Sequence, residues 1–415
     1  MGIIIMGIIS NRIILKNKFL PVSEIESFQS FFETSEPVEK IFSPYRVCPL
    51  GAHVDHQHGL VTGFAIDRGV ELWFTSSGDS RIHIQSLTFP GETIFDLQQP
   101  IEYKKGNWGD YIRGSVYAMN KRFSLQYGIK GIIRGSLPIG GLSSSAAVLV
   151  AYVKALAKVN NLNLTPMEII RITSEAEREY VGLNNGILDQ ACVVLSEQDS
   201  LLYLDTDNND YQLLPKHYNM PEFELGIFFS GLTRSLIASD YNLRVHECKT
   251  AAWNILAFND LPLNLPEKTF LRDVPEKYFK AVRERLPLRF AKRAAHFFSE
   301  CERVRLGITA WEKGDISTLG KLIFESCESS IKQYECGSPE LIALYEIMRE
   351  TPGIYGGRFS GAGFKGACIS LVEPNLKEEI SKQITRKYLE KFPQYKDSFE
   401  IHFCKTHQGA EIDQS

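Results

Sequence analysis

Three short segments concentrate the residue types that do chemistry. In GSLPIGGLSSSAA (135–147), glycines and serines run directly into an Ala-rich stretch. Free backbone N–H groups at a helix start, with the helix dipole behind them, make an anion site. Glycines let phosphate oxygens approach the backbone, and serine hydroxyls donate to phosphate or ligate Mg²⁺. A serine N-cap after a plain turn would leave the same letters. The Walker phosphate loop is excluded, because no GK[ST] follows. In GGRFSGAGFKGACISLV (356–372), Gly361, Gly363 and Gly366 spell GxGxxG. That run precedes a strand where a dinucleotide fold needs it to follow one, so the dinucleotide reading fails. So many glycines before a buried strand still call for a close backbone neighbour. In SPYRVCPLGAHVDHQHG (43–59), an arginine, an aspartate and His53, His56 and His58 crowd around Gly51 and Gly59. The histidine spacings match no common zinc pattern. A solvated polar loop or a sugar-binding loop remains.

These segments need scaffolding, and the intervening text supplies it. From about Phe19 to Asp205, short apolar strands alternate with helical stretches. GVELWFTSS (69–77) and RIHIQSLTF (81–89) predict strands about a Gly-Asp turn. SSAAVLVAYVKALAKV (144–159) predicts a helix, and residues 167–181 a second one opened by Thr165 and Pro166 as N-cap and N1. The polar, turn-rich DTDNNDYQLLPKHYNMP (205–221) is the expected domain boundary, which divides the chain into 1–215 and 216–415. Beyond it come a strand (FELGIFFSG), a helical region over about 242–330, and a strand–helix–strand end.

Bulk composition narrows the partners. A chain of 415 residues is long for one core and expected to form two domains. Its 46 basic and 50 acidic residues, with no block of like charge, predict no nucleic-acid partner. Eight cysteines without a CxxC pair read as reduced thiols of a cytoplasmic protein. No apolar stretch reaches the ~20 residues of a membrane span. The apolar start MGIIIMGII carries its positive charge after the run, unlike a signal peptide, and Met6 denies myristoylation. It reads as an added strand or an alternative start codon.

Taken in chain order, the three segments resemble the signature motifs of the GHMP kinase superfamily, nearest its galactokinase branch, over nearly the whole chain. That branch shows a GRVNLIGEHTDYNGG-like first motif, a PLGAGLSSSA-like second and a MTGGGFGGC-like third. AEREYVGLNNGILDQ (176–190) resembles a further segment of the branch, AEHxFxGxxxGIMDQ. The resemblance implies an α+β fold with α/β-type layers. Its N-terminal domain would be like ribosomal protein S5 domain 2, its C-terminal domain ferredoxin-like, and its site would lie between them. It also implies a monomeric enzyme that uses ATP and Mg²⁺ to phosphorylate the anomeric hydroxyl of a small sugar.

Residue roles follow from the same resemblance. Asp189 would accept the proton of the C1 hydroxyl. Arg46 would stand beside it, favouring its charge and steadying the transferring phosphoryl group. Ser145 and Glu177 would ligate Mg²⁺. Gly140, Gly141, Leu142, Ser143, Ser144, Ser145 and Ala146 would cradle the phosphates. Trp108 and Tyr111, in WGDYIRG, would lie near the adenine. His53, Asp55, Gly186 and Tyr241 would hold the sugar. Plainer roles stay open for several: a helix-start carboxylate for Asp189, a helix-surface glutamate for Glu177, a core aromatic pair for Trp108 and Tyr111.

The departures from the galactokinase pattern carry the substrate expectation. Ala52 stands where galactokinases have a glutamate that binds the C6 hydroxyl. If C6 is instead a carboxylate, a glutamate there would be repelled at a cost of several kcal/mol, and alanine removes the clash. In the third motif, Ala362 and Lys365 replace glycines, and Lys365, Arg234 and Arg244 are candidate partners for a C6 carboxylate. The second motif is one residue shorter before its leucine. These features resemble the galacturonokinase pattern more than the galactokinase one. The expected reaction is ATP-dependent phosphorylation of galacturonic acid at C1. A galactokinase with an altered C6 pocket is the alternative. A non-catalytic sugar sensor is another, although Ser143–Ser145, Glu177, Asp189 and Arg46 are all retained.

Overall fold

The computed structural model describes residues 24–101, 103–138, 140–183, 185–232 and 238–413. The start MGIIIMGII and Arg234 lie outside them. A first helix α1 (Glu24–Phe32) precedes strands β1 (Glu39–Val47), β2 (Leu60–Ser76), β3 (Arg81–Ser86) and β4 (Glu92–Asp96). Then follow α2 (Asp110–Asn120), β5 (Ile129–Gly135), α3 (Ser144–Val159), α4 (Pro166–Glu175), α5 (Leu188–Leu195) and the hairpin β6 (Ser200–Asp205) and β7 (Asp210–Pro215). The rest comprises β8 (Glu224–Phe229), α6 (Ala238–Phe258), α7 (Glu276–Val282), α8 (Leu288–Glu312), α9 (Ile316–Ser329) and α10 (Pro339–Arg349). It closes with β9 (Ile354–Phe359), β10 (Ala367–Val372), α11 (Lys377–Lys391), β11 (Glu400–Cys404), β12 (Thr406–His407) and β13 (Glu411–Asp413).

The class is α+β, with two sheets. In the first, the order β13-β1-β2-β5-β3-β4 is extended by β6, β7 and β12, and β3–β5 is its parallel pair. Strand β2 organises this sheet. Its two ends pair different partners, residues 60–63 with β6 and 70–76 with β5. Apolar residues on both faces of β2 are buried, as a strand covered on two sides requires. The second sheet, β11-β8-β10-β9, is antiparallel throughout. The turn formers of 205–221 close the β6–β7 hairpin, and the passage to β8 follows Pro215. Strands β1 to β7 lie in the first sheet and β8 to β11 in the second, while β12 and β13 return the chain to β2 and β1. Buried apolar residues from Ile41 to Ala410 form one cluster spanning both sheets. Helix α8 packs on α6, α9 and β2, and so ties the two halves together.

Two local features matter for the site. Helix α3 spans the predicted 144–159, and its Ala- and Leu-rich interior is buried nearly all round. The helix predicted over 167–181 has the expected Thr165 cap, completed by Glu168 in a capping box. Its last turn, Ala176–Val181, is a π-helix closed by Gly182 at φ +85°. A π turn rotates the side chains that follow relative to an α-helix, and such turns gather at functional positions. Here Glu177 is carried fully inside, at 0% exposure. The helix-surface role open to it from sequence does not hold.

Candidate active site

The site begins with an irregularity in β1. Pro44 has no N–H to give the ladder, and the β1–β2 register shifts between Pro44 and Arg46. Arg46, only 5% exposed, places Nε 2.7 Å from Asp189 Oδ1 and donates from Nη1 to Gly141 O at 3.0 Å. Asp189 is the second residue of α5, where a carboxylate meets the positive end of the helix. The Ser143 hydroxyl donates to its other oxygen. The expected pair is therefore formed, and Ser143 joins it.

That bond decides how the glycine–serine loop is used. Ser143 occupies the N-cap position of α3 at φ +55°, yet its side chain makes no capping bond. The plain N-cap reading fails for this reason: the hydroxyl is spent on Asp189. Ala147 N–H bonds to Ser143 O, while the cap leaves the earlier amides of the first turn for an anion. Leu142 and Ala146 bury their side chains in the core, and Leu142 O accepts from Arg46 N–H at 3.2 Å. Ser144 and Ser145 are half-buried. The close neighbour expected for the third segment is this same loop. A β-carbon on Gly366 (φ +93°) would lie 2.7 Å from the carbonyl carbon of Gly140. One on Gly141 (φ +80°) would lie 2.8 Å from Ser360 O. The Ser360 hydroxyl donates to Gly141 O at 2.5 Å. Ala362 and Lys365 sit on the exposed side of this contact.

Behind the loop, Glu177 Oε2 accepts from Gln190 Nε2 at 2.5 Å and Asn185 Nδ2 at 3.0 Å. Its buried Oε1 has no hydrogen-bond partner among the described residues. Burial, and then Asp189, push its pKa up, against the pull of Ser145, Asn185 and Gln190. Burial and then Glu177 raise the Tyr111 phenol, which stands in the same field. Trp108 is half-buried and donates from Nε1 to Pro90 O at 3.2 Å.

The first segment supplies the opposite wall. Asp55 opens a short 3₁₀ turn (Asp55–Gln57), and burial followed by Asp189 pushes its carboxyl up to about 6. Gly186 packs against it so closely that a β-carbon there would meet Asp55 Oδ2 at 2.3 Å. Burial, then Asp55 and Asp189, raise the Tyr241 hydroxyl well above its ordinary value. Asp55, Gly186, Tyr241 and Asp189 thus converge. The histidines have other partners, two of them meeting at Tyr334. His53, at φ +58°, stacks on Tyr334 with ring centroids 4.2 Å apart and sets Nε2 3.5 Å from Cys336 Sγ. Burial holds it neutral. His56 bonds the Tyr334 hydroxyl at 3.1 Å, and His58 bonds Asp207 at 3.2 Å. Among the described residues no group of three or more His, Cys, Asp or Glu could hold a metal ion.

Arg244 has other work. It donates to Tyr334 O at 3.0 Å and Glu335 O at 3.3 Å, and pairs with Glu247. It thereby closes a second π segment, Ser330–Tyr334, and is not free for a ligand. The sequence reading missed Tyr334, and it missed His296 and Glu300 of α8, which hold the first segment from behind. Arg293, His296, Glu300 and Arg303 recur at helical spacing, which in a sequence looks like a solvated polar face. Only their long-range partners reveal that the first three are buried.

Comparison with known proteins agrees with this geometry. Residues 110–197 match the GHMP kinases N terminal domain, and residues 308–391 the GHMP kinases C terminal domain. A galacturonokinase of Arabidopsis thaliana is 39% identical over 399 residues, covering 90% of this chain and 93% of that protein. A galactokinase of Thermotoga maritima is 33% identical over 85% of this chain and 95% of its own length. The crystal structure of Lactococcus lactis galactokinase complexed with galactose superposes with a TM-score of 0.85 at 27% identity, over 93% of this chain and 98% of that one. Kinases of this kind act on sugars with ATP. Among the described residues no helix is long and apolar enough to cross a membrane. An arginine–aspartate pair, a serine-ended glycine loop and family matches in both halves of the chain lead to one conclusion: the chain belongs to the GHMP kinase family, in its galactokinase branch.

Proposed function

We propose that the chain transfers the terminal phosphoryl group of ATP to the anomeric hydroxyl of D-galacturonic acid, giving galacturonate 1-phosphate and ADP. The observation that carries the substrate is Ala52, at the position where galactokinases keep a glutamate for the C6 hydroxyl. Its likeness to the Arabidopsis thaliana galacturonokinase supports the same choice. Asp189 takes the proton from the C1 hydroxyl, and Arg46, bonded to it, offsets charge on the transferring group. Gly140 to Ala146 hold the phosphates through backbone amides and serine hydroxyls. The buried, unpartnered Oε1 of Glu177, with Ser145 beside that carboxylate, fits a hard cation, so these two residues hold Mg²⁺. A cation held there would supply positive charge against the phosphate oxygens. Trp108 and Tyr111 border the adenine side. Asp55, Gly186 and Tyr241 border the ring hydroxyls, with Asp55 accepting from two of them, whereas His53, expected beside them, is stacked on Tyr334 and faces Cys336.

At C6, the short Ala52 side chain leaves room for a carboxylate. The exposed Lys365, on the loop that also carries Ala362, is the candidate cation partner for it. Eight unpaired cysteines, seven of them buried, suit a reducing cytoplasm. The enzyme works as a monomer of two domains that meet near residue 215. An ADP-release assay on galacturonate and galactose tests the proposal. A higher kcat/KM for galacturonate is expected. A preference for galactose would favour the other reading, a galactokinase with an altered C6 pocket, which the galactose-bound structural relative makes the natural rival.

A further inference from the structure

The loop that carries Ala52 is held in an unfavourable shape. Gly51 at φ +94°, His53 at +58° and His58 at +60° put three left-handed residues within eight positions. Non-glycine residues keep that conformation only where surrounding contacts over-determine it. At Ala52 itself the hydrogen bonds come from one helix, α8. Glu300 Oε1 accepts the N–H of Gly51 at 2.8 Å, the N–H of Ala52 at 3.1 Å and the hydroxyl of Ser326 at 2.6 Å. Its Oε2 is paired with Arg303, at 2.8 Å to Nε and 2.7 Å to Nη2. Arg358 Nη1 stands 3.8 Å from Oε1. On the other side, His296 Nε2 lies 2.9 Å from Ala52 O. A carbonyl only accepts, so Nε2 carries the proton, and Nδ1 meets Ser329 Oγ at 2.8 Å.

We infer that Glu300 and His296 are positioning residues for sugar recognition, clamping the peptide groups on both sides of Ala52 so that its side chain keeps its place at C6. All three backbone groups at issue (two N–H, one C=O) bond to α8, and neither residue touches Arg46 or Asp189. Both are fully buried, Glu300 at 0% and His296 at 1% exposure, so they act through Ala52 and never on the sugar directly. Burial would raise the Glu300 pKa, but Arg303, His296 and Arg358 outweigh it and pull it to about 2. Burial pushes His296 down to about 4. At neutral pH the clamp is therefore a carboxylate and a neutral imidazole, the forms its bonds require.

The inference rests on Ala52 facing C6, and its test separates the two ideas. His296→Ala, His296→Gln and Glu300→Gln are assayed in the full chain with galacturonate, galactose and varied ATP, each with its unfolding midpoint. His296→Ala should raise the sugar KM about tenfold and shift the galacturonate-to-galactose ratio of kcat/KM about fivefold, with ATP KM within about twofold. His296→Gln, whose amide N–H can reach Ala52 O, should restore most of the ratio. Glu300→Gln keeps an acceptor and loses the charge paired with Arg303, so its ratio should fall between. Equal losses for both sugars and ATP, or an unmoved ratio, overturn the clamp; if His296→Ala does not fold, the Glu300→Gln ratio decides in the same way. A wild-type preference for galactose would refute the substrate assignment alone, since the ratio still reads the clamp.

Discussion

Ala52→Glu restores the carboxylate that galactokinases place before the histidine of the first motif, and its effect can be estimated from the surroundings of that residue. The peptide groups at Ala52 are bonded to Glu300 and His296, so the backbone has little freedom to carry a new side chain away. The two arginines beside the Glu300 clamp are committed: Arg303 to Glu300, and Arg358 to Ser326 Oγ and Phe359 O. Two like charges about 4 Å apart repel by about 4 kcal/mol at an effective dielectric of ~20, and by roughly half that where the pocket opens to water. At ~1.4 kcal/mol per decade, kcat/KM for galacturonate should fall roughly 30- to 1000-fold. Ala52→Gln has the same length without the charge, and should lose less than about tenfold. ADP release with both sugars is the assay, and galactose should be spared relative to galacturonate in the glutamate variant. If Ala52→Glu keeps galacturonate turnover within about threefold of wild type, or if Ala52→Gln loses as much, charge at C6 is not what Ala52 accommodates.

Three further perturbations check the rest of the site. Asp189→Asn should lower kcat by roughly 10²- to 10⁴-fold while the fold survives, because asparagine still offers Arg46 an acceptor; Asp189→Ala should also lose stability by leaving a buried guanidinium without its counter-charge, and near-normal turnover in either variant would refute the proton-acceptor role. Asp55 is pushed up to about 6, so folding favours its protonated form: the stability it contributes is complete below about 4 and lost as pH rises through about 6. Asp55→Asn should therefore raise the unfolding midpoint relative to wild type at pH 7.5 but not at pH 4, and sugar kcat/KM in the wild type, which needs the carboxylate, should decline below about pH 6; equal midpoint shifts at both pH values would contradict the buried-carboxyl account. Glu177→Gln can give its carbonyl to Asn185 and Gln190 and turn its amide toward the unpartnered position, so folding should persist while the Mg²⁺ concentration for half-maximal activity rises by about tenfold or more; an unchanged Mg²⁺ dependence would remove Glu177 from the metal site.

Much of this site was legible in the chain because local physics writes it there. A glycine–serine loop running into an Ala-rich helix and the Thr165–Pro166 start depend on neighbours in sequence, and both appeared where expected, while the strand expected over 69–77 is the second half of the longer β2. The motif resemblance added roles, and Arg46 does meet Asp189 across 143 positions. What periodicity could not contain is the identity of distant partners. Ser143 looks like a cap and instead bonds Asp189, because α5 arrives beside it. Glu177 looks like a surface residue of an α-helix, but a π turn brings it inside. The glycines of 361–366 announce a close approach without saying that Gly140 and Gly141 are what they approach. The polar face of α8 is the sharpest case: its spacing suits solvent, and only the packing of α8 against β2 turns Glu300 and His296 toward Ala52. Residue order and local pattern specify which residue types the chemistry uses and in what succession they occur. The tertiary structure alone decided which of them are buried against one another, because burial and long-range hydrogen bonds belong to the packed chain and not to any segment of it.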